Sequence, residues 1–426
     1  MKEDIIKKAG QLFTPALVFH TDIIVKKASG LYVESTNGKR YMDFSSGLAT
    51  TNIGHCPPKV VEAAKKQLEE IIHAGCIFRY NSEIEFAEKL KKITPGSLNM
   101  FFFSNSGAEA VEGAIKLARF VTKRQGIIAY TGAFHGRTMG AVSLTTSTAK
   151  YRKNYHPLLP SIFRTPYPYC YRCSLGQNPD TCGMDCFEYL KKMLRHEINP
   201  DEVAAIIIEP VLGEGGYAVP PADYLKELRK LCTQHGILLI ADEVQTGFGR
   251  TGTWFACEHF GIIPDIMTIA KGIASGFPLS AIVSTKKIMS KWLPGAHGTT
   301  FGGNPVSCAA GSATIETIIS GRLLQNAAMV GNHALKKLKD MQKKYPVMGD
   351  VRGMGLMIGI EFIKKDKSPD REFLKKVLDK CYKKGLILIE CGIDKNIIRF
   401  MPPLITTIKE METALDIFED AVAQSS

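Results

Sequence analysis

A lysine amine can condense with an aldehyde, and a carboxylate can hold a proton on a ring nitrogen. Asp242 and Lys271 are set out along the chain to do both. Asp242 ends the apolar run Gly236-Ile-Leu-Leu-Ile-Ala241, and Lys271 follows the run Asp265-Ile-Met-Thr-Ile-Ala270. Lys271 also opens the glycine-bearing stretch Lys271-Gly-Ile-Ala-Ser-Gly276. A carboxylate and a lysine at the carboxyl ends of two predicted strands, in that order, are what a pyridoxal phosphate enzyme needs. The lysine would hold the cofactor aldehyde as a Schiff base. The aspartate would pair with the pyridinium nitrogen and keep the ring an electron sink.

Other segments carry compatible chemistry. Phe101-Phe-Phe-Ser-Asn-Ser-Gly-Ala-Glu109 reads as a strand, a small-residue turn and a helix start. Ser106, Gly107 and Ala108 would sit at the helix N-terminus, where free backbone N–H groups favour a phosphate. The same residues also suit an ordinary helix cap. Gly132-Ala-Phe-His-Gly-Arg-Thr138 follows the next strand and brings Phe134, His135 and Arg137. Phe134 can stack on a flat ring or fill a core. Arg137 can receive a carboxylate through its planar fork or stand in a solvated turn. Glu209 and Glu214 lie in Ile206-Ile-Ile-Glu-Pro-Val-Leu-Gly-Glu-Gly-Gly216.

Around Asp242 the chain reads Ala241-Asp-Glu-Val-Gln-Thr-Gly-Phe-Gly-Arg-Thr-Gly252. With Lys271 and the Glu209–Gly216 run, this resembles the class III, or ω-amino acid, aminotransferases of fold type I. It is most similar to 4-aminobutyrate aminotransferases. The resemblance implies pyridoxal 5'-phosphate held by Ser106, Gly107 and Ala108, with Phe134 and His135 at its ring. Gln245 would approach its phenolic oxygen, and Glu209 would lie nearby. Gly298-Thr-Thr-Phe-Gly-Gly-Asn-Pro305 matches a loop whose threonine, here Thr300, reaches the phosphate of a neighbouring subunit. The expected assembly is therefore a homodimer or a dimer of dimers.

On the substrate side, the resemblance makes Arg137 the acceptor of a distal carboxylate. Arg399, in Asn396-Ile-Ile-Arg-Phe-Met-Pro-Pro403, would take the α-carboxylate. Glu214 would be a gate that masks this arginine for one substrate and frees it for the other. Leu48 would line the entrance. The implied activity moves an amino group from an ω-amino acid to 2-oxoglutarate by a ping-pong mechanism. Racemases and epimerases of the same fold share the cofactor site and are the alternative.

The elements that must position these groups are legible in outline. Strand-length apolar runs span 100–103, 127–130, 204–208, 237–241, 266–270 and 279–283. They alternate with helical stretches such as 108–123 and 222–235. That alternation predicts an α/β fold with a mostly parallel sheet, whose ligands bind beyond the carboxyl ends of the strands. A hairpin is expected around Asn37-Gly38. Short strands at 357–362 and 397–400 join it in a smaller α+β domain made from both chain ends. The expected division is 1–55, 56–315 and 316–426.

The chain has 426 residues, 45% of them hydrophobic, enough for a large core. No apolar run is long enough for a membrane span, and the charged start Met1-Lys-Glu-Asp4 lacks a signal-peptide core, so a cytoplasmic location is expected. The net charge of +12 is spread as lysine pairs on amphipathic stretches. Without a basic run, this argues against a nucleic-acid partner. Eleven cysteines in a chain of this length do not make a disulfide scaffold. Four of them, Cys170, Cys173, Cys182 and Cys186, cluster in one loop. Free thiols are the plain reading; a structural zinc or disulfides are the alternatives.

Overall fold

The computed structural model describes residues 2–426. Its centre is a seven-stranded sheet. Across the sheet the strands run Met100–Ser104, Ser280–Ser284, Ile266–Ile269, Leu238–Asp242, Val203–Ile208, Gly126–Thr131 and Ile162–Pro166. Six of these strands point the same way, and Ser280–Ser284 alone is reversed, running antiparallel to both its neighbours. The six expected strands form within a residue or two of their expected bounds. The edge strand Ile162–Pro166 is an addition. It is half-exposed and lacks the continuous apolar run that marks the central strands.

The central strands are apolar on both faces because both faces are covered. Every residue of Val203–Ile208 is buried. Helix Gly107–Thr122 covers one face with Val111, Ala114, Ile115 and Ala118. Helix Tyr224–His235 buries Leu225, Leu228 and Leu231 on the other. Gly236 ends this helix in the left-handed conformation, so the chain turns directly into the Asp242 strand.

The two chain ends meet in smaller sheets. The expected hairpin forms from Tyr32–Ser35 and Arg40–Asp43, with Val25–Ser29 added outside it. Leu386–Ile387, from near the other end, pairs parallel with Arg40–Asp43. A second sheet holds Met348–Met354, Met357–Phe362, Ile397–Phe400 and Ile389–Cys391, and places Arg399 on an inner strand. Arg250, fully buried, ties these parts to the loop after Asp242. Its guanidinium donates to the carbonyls of Leu356 (3.0 Å) and Pro402 (2.6 Å) and to Asn52 Oδ1 (2.8 Å). Among the described residues, no helix is long and apolar enough to cross a membrane.

Candidate active site

A cavity of about 390 Å³ opens at the carboxyl ends of the parallel strands. Ser106, Gly107, Ala108, Phe134, His135, Arg137, Glu209, Asp242, Gln245 and Lys271 all line it. They come from five separate strand ends, which is how such sheets build a site.

Asp242 is the most firmly held of these groups. Its Oδ2 lies 2.6 Å from His135 Nδ1, and its Oδ1 accepts from Thr268 Oγ1 (3.0 Å) and Val244 N (3.1 Å). The carboxylate is buried, at 3% exposure, so its orientation is set by these three partners. Burial disfavours a charged His135 ring, but the neighbouring Asp242 and Glu209 outweigh it and raise the histidine pKa.

Lys271 has a left-handed backbone, with φ of +49°. That conformation costs a non-glycine residue about 1–3 kcal/mol, and it persists where surrounding structure enforces it. Here the lysine leaves the strand Ile266–Ile269 and turns at once into the short helical turn Lys271–Ala274. Burial depresses its pKa; Asp242 and Glu209 pull the other way without cancelling it. A larger share of the amine is thus neutral than in water, as a nucleophile or base requires.

Glu209 is almost fully buried and accepts from the N–H of Phe134 (3.1 Å) and of Gly213 (3.3 Å). Burial pushes its carboxyl up to about 7. A carboxyl raised in the folded state favours the protonated folded form. Its stability cost is therefore absent below the unfolded value and grows as pH rises through the folded one. Replacing Glu209 by Gln in cofactor-free protein should thus help increasingly from about pH 5 to about pH 8. The check is the difference in melting temperature between variant and parent at both values. A difference that does not grow would refute the shift.

Residues 106–108 begin the helix Gly107–Thr122, and Ser106 caps it by accepting from Glu109 N (3.3 Å). The cap occupies the third N–H; those of the first turn still point out of the helix end. A Cβ on Gly107 would meet Val244 at 2.8 Å, so the helix end packs against the loop after Asp242. Free N–H groups at a helix start suit a phosphate monoester, and Phe134 and Asp242 line the same cavity. Gln245 Oε1 is buried and has no hydrogen-bond partner, which leaves it for a bound group.

Two expected substrate residues form a pair. Arg399 Nη1 donates to Glu214 Oε2 at 2.9 Å, and Nη2 donates to the Glu390 carbonyl at 3.0 Å. Arg399 is 4% exposed; burial opposes its charge, but Glu214 overrides it and holds the guanidinium protonated. Arg137 is different. It is exposed to the cavity and has no salt-bridge partner among the described residues.

Leu48 and Thr300 are not among the cavity-lining residues, and both are exposed. Thr50, two residues on, lines the cavity; Gly47 and Leu48 both turn through left-handed conformations. Thr268, Asn105, Val244 and the 276–279 segment also belong to the site and escaped sequence reasoning. Thr268 was findable, since it stands on the strand leading to Lys271. The four loop cysteines are unpaired and partly buried. Among the described residues, no three His, Cys, Asp or Glu side chains are grouped to hold a metal.

The chain is similar to known proteins over almost its whole length. The aminotransferase class-III family pattern matches residues 15–422. A leucine/methionine racemase of Thermococcus litoralis is 40% identical, covering 99% of this chain and 96% of its own. A 4-aminobutyrate aminotransferase of Mycobacterium leprae is 40% identical, covering 93% and 90%. An amine transaminase from an uncultivated Pseudomonas species, solved in its pyridoxal phosphate-bound form, superposes with a TM-score of 0.91. It is 30% identical, with 98% of this chain and 99% of that one covered.

Proposed function

The chain belongs to the class III aminotransferases, which are pyridoxal phosphate enzymes; from that premise we propose that it moves an amino group from an ω-amino acid such as 4-aminobutyrate to 2-oxoglutarate. The observation that carries this reading is the contrast between two arginines. Arg399 is masked by Glu214, and Arg137 is not masked by any acid among the described residues. With the pair closed, Arg137 is the free guanidinium lining the cavity, which suits an amine with a single distal carboxylate. Arg399 and Glu214 lie outside the lining but act electrostatically on Lys271, so withdrawal of Glu214 would add a second guanidinium for a dicarboxylate keto acid. One site then serves both halves of a ping-pong reaction.

Pyridoxal phosphate supplies an electron sink for the carbon that loses a proton. Ser106, Gly107 and Ala108 would hold its phosphate, with Thr300 of a second copy completing the site in a homodimer or dimer of dimers. Asp242, fixed by His135 and Thr268, would hold the proton on the ring nitrogen. Gln245 would approach the phenolic oxygen. Lys271, its amine partly neutral, would carry the cofactor at rest and then take and return the proton. Arg137, Arg399 and Glu214 orient the substrate, and Leu48 would stand at the entrance. A cytoplasmic location is part of the proposal.

A racemase is the second reading, favoured by the 40% identity to the leucine/methionine racemase. There the proton would return to the carbon it left. The two readings separate in a half-reaction. Holoenzyme mixed with 4-aminobutyrate alone should lose the long-wavelength absorbance of its cofactor, and 2-oxoglutarate should restore it. An unchanged spectrum, together with loss of optical activity from a single enantiomer of a neutral α-amino acid, would overturn the aminotransferase reading.

A further inference from the structure

Arg137 is held by an aromatic face. Its guanidinium carbon lies 4.3 Å from the centre of the Tyr151 ring and 5.8 Å from that of Phe134. The two rings meet edge to face, with centroids 5.7 Å apart and planes at 77°. Phe134 and Arg137 line the cavity, and Tyr151, in contact with both, is not among the lining residues. Tyr151 belongs to the short turn Ala149–Tyr151, which Thr148 caps by accepting from Lys150 N.

This arrangement has a chemical logic. An arginine held by a carboxylate is neutralised, and a substrate must first displace the acid. That is the state of Arg399 with Glu214. Arg137 lies over a ring and makes no salt bridge among the described residues. Its N–H fork therefore stays free for a carboxylate. The ring also removes rotamers that a free arginine would lose on binding.

We propose that Tyr151 is a positioning residue that seats the Arg137 guanidinium, with its charge unmasked, to receive the distal carboxylate of the substrate. This rests on the assignment of Arg137 to that carboxylate. The contacts are made by the ring and not by the hydroxyl. The two carboxylate subsites therefore differ in kind: Arg399 is switched by an acid, and Arg137 is permanently presented by an aromatic shelf. Substrates with a distal carboxylate bind in both half-reactions, so a permanent subsite suits that end of the cavity.

The test measures binding of glutarate, an unreactive dicarboxylate, to holoenzyme by calorimetry, with n-butylamine as a probe that lacks the carboxylate. Tyr151→Leu should weaken glutarate by about tenfold, the weight of one partly desolvated cation–π contact. Tyr151→Phe should bind it as the parent does, and n-butylamine should be unaffected in both. Equal weakening of n-butylamine by Tyr151→Leu would mean a general collapse of the cavity and overturn the proposal. So would a loss in Tyr151→Phe as large as that in Tyr151→Leu. Arg137→Leu separates this proposal from the reading beneath it. If Arg137→Leu weakens glutarate and Tyr151→Leu does not, Arg137 keeps its role and Tyr151 loses its own. If Arg137→Leu leaves glutarate unchanged, both fall.

Discussion

Lys271→Ala should lower turnover by about 10⁴-fold or more while the protein stays folded and still takes up pyridoxal phosphate. A positioned general base alone is worth about 10²–10⁴-fold, and Lys271 is assigned a covalent role as well. Among the described residues no other lysine lines the cavity, so no neighbour can take its place. The fold should survive because the substitution relieves rather than creates a burial problem. It removes a cation whose charge burial already disfavours. Borohydride should fix the cofactor to the parent protein and leave the variant unlabelled, read by mass spectrometry. Small primary amines added to the variant should restore part of the turnover, because the cavity left behind can admit a free base. Turnover above about one hundredth of the parent's would sink the assignment, since a lost base cannot cost so little. Covalent labelling of the variant would sink it independently.

Asp242→Asn should cost roughly 10³-fold in turnover with little change in fold, the scale seen when one preorganised electrostatic partner is removed from a dry site. Asparagine keeps the size of the group and can still accept from Thr268 and Val244. It cannot carry the charge that would keep a ring nitrogen protonated. The substitution has a second consequence at His135. The Asp242 hydrogen bond opposes burial there and raises the histidine pKa. Without the carboxylate, burial should win and leave the ring neutral to lower pH, a change visible in the imidazole NMR titration. An N-methylated pyridoxal phosphate carries its ring charge permanently and should recover part of the lost rate. Failure of that rescue in a well-folded variant would make Asp242 a structural carboxylate only.

Much of this was legible along the chain, and the reasons are local. A strand that ends in a chemically active residue and gives way to a glycine-bearing turn is contiguous in sequence. Asp242, Lys271, Glu209 and the 106–108 segment each announce themselves in that way. The central strands were visible because parallel strands buried on both faces read as unbroken apolar runs. The edge strand Ile162–Pro166 was not, because a partly exposed edge tolerates polar residues. The direction of Ser280–Ser284 was equally hidden, since period and hydrophobicity do not distinguish a strand from its reverse.

The site divides along the same line. Residue types at strand ends determined which groups the chain offers: an amine at Lys271, a carboxylate at Asp242, free N–H groups at the helix start. Which partner each of these groups has was decided only by folding. His135 reaches Asp242 across 107 residues, and Glu214 closes on Arg399 across 185. Tyr151, an ordinary tyrosine in sequence, becomes the shelf under Arg137. A side chain's identity is carried by its own residue. Its charge state and orientation depend on neighbours from distant segments and on the water they exclude, and only the packed chain brings those together.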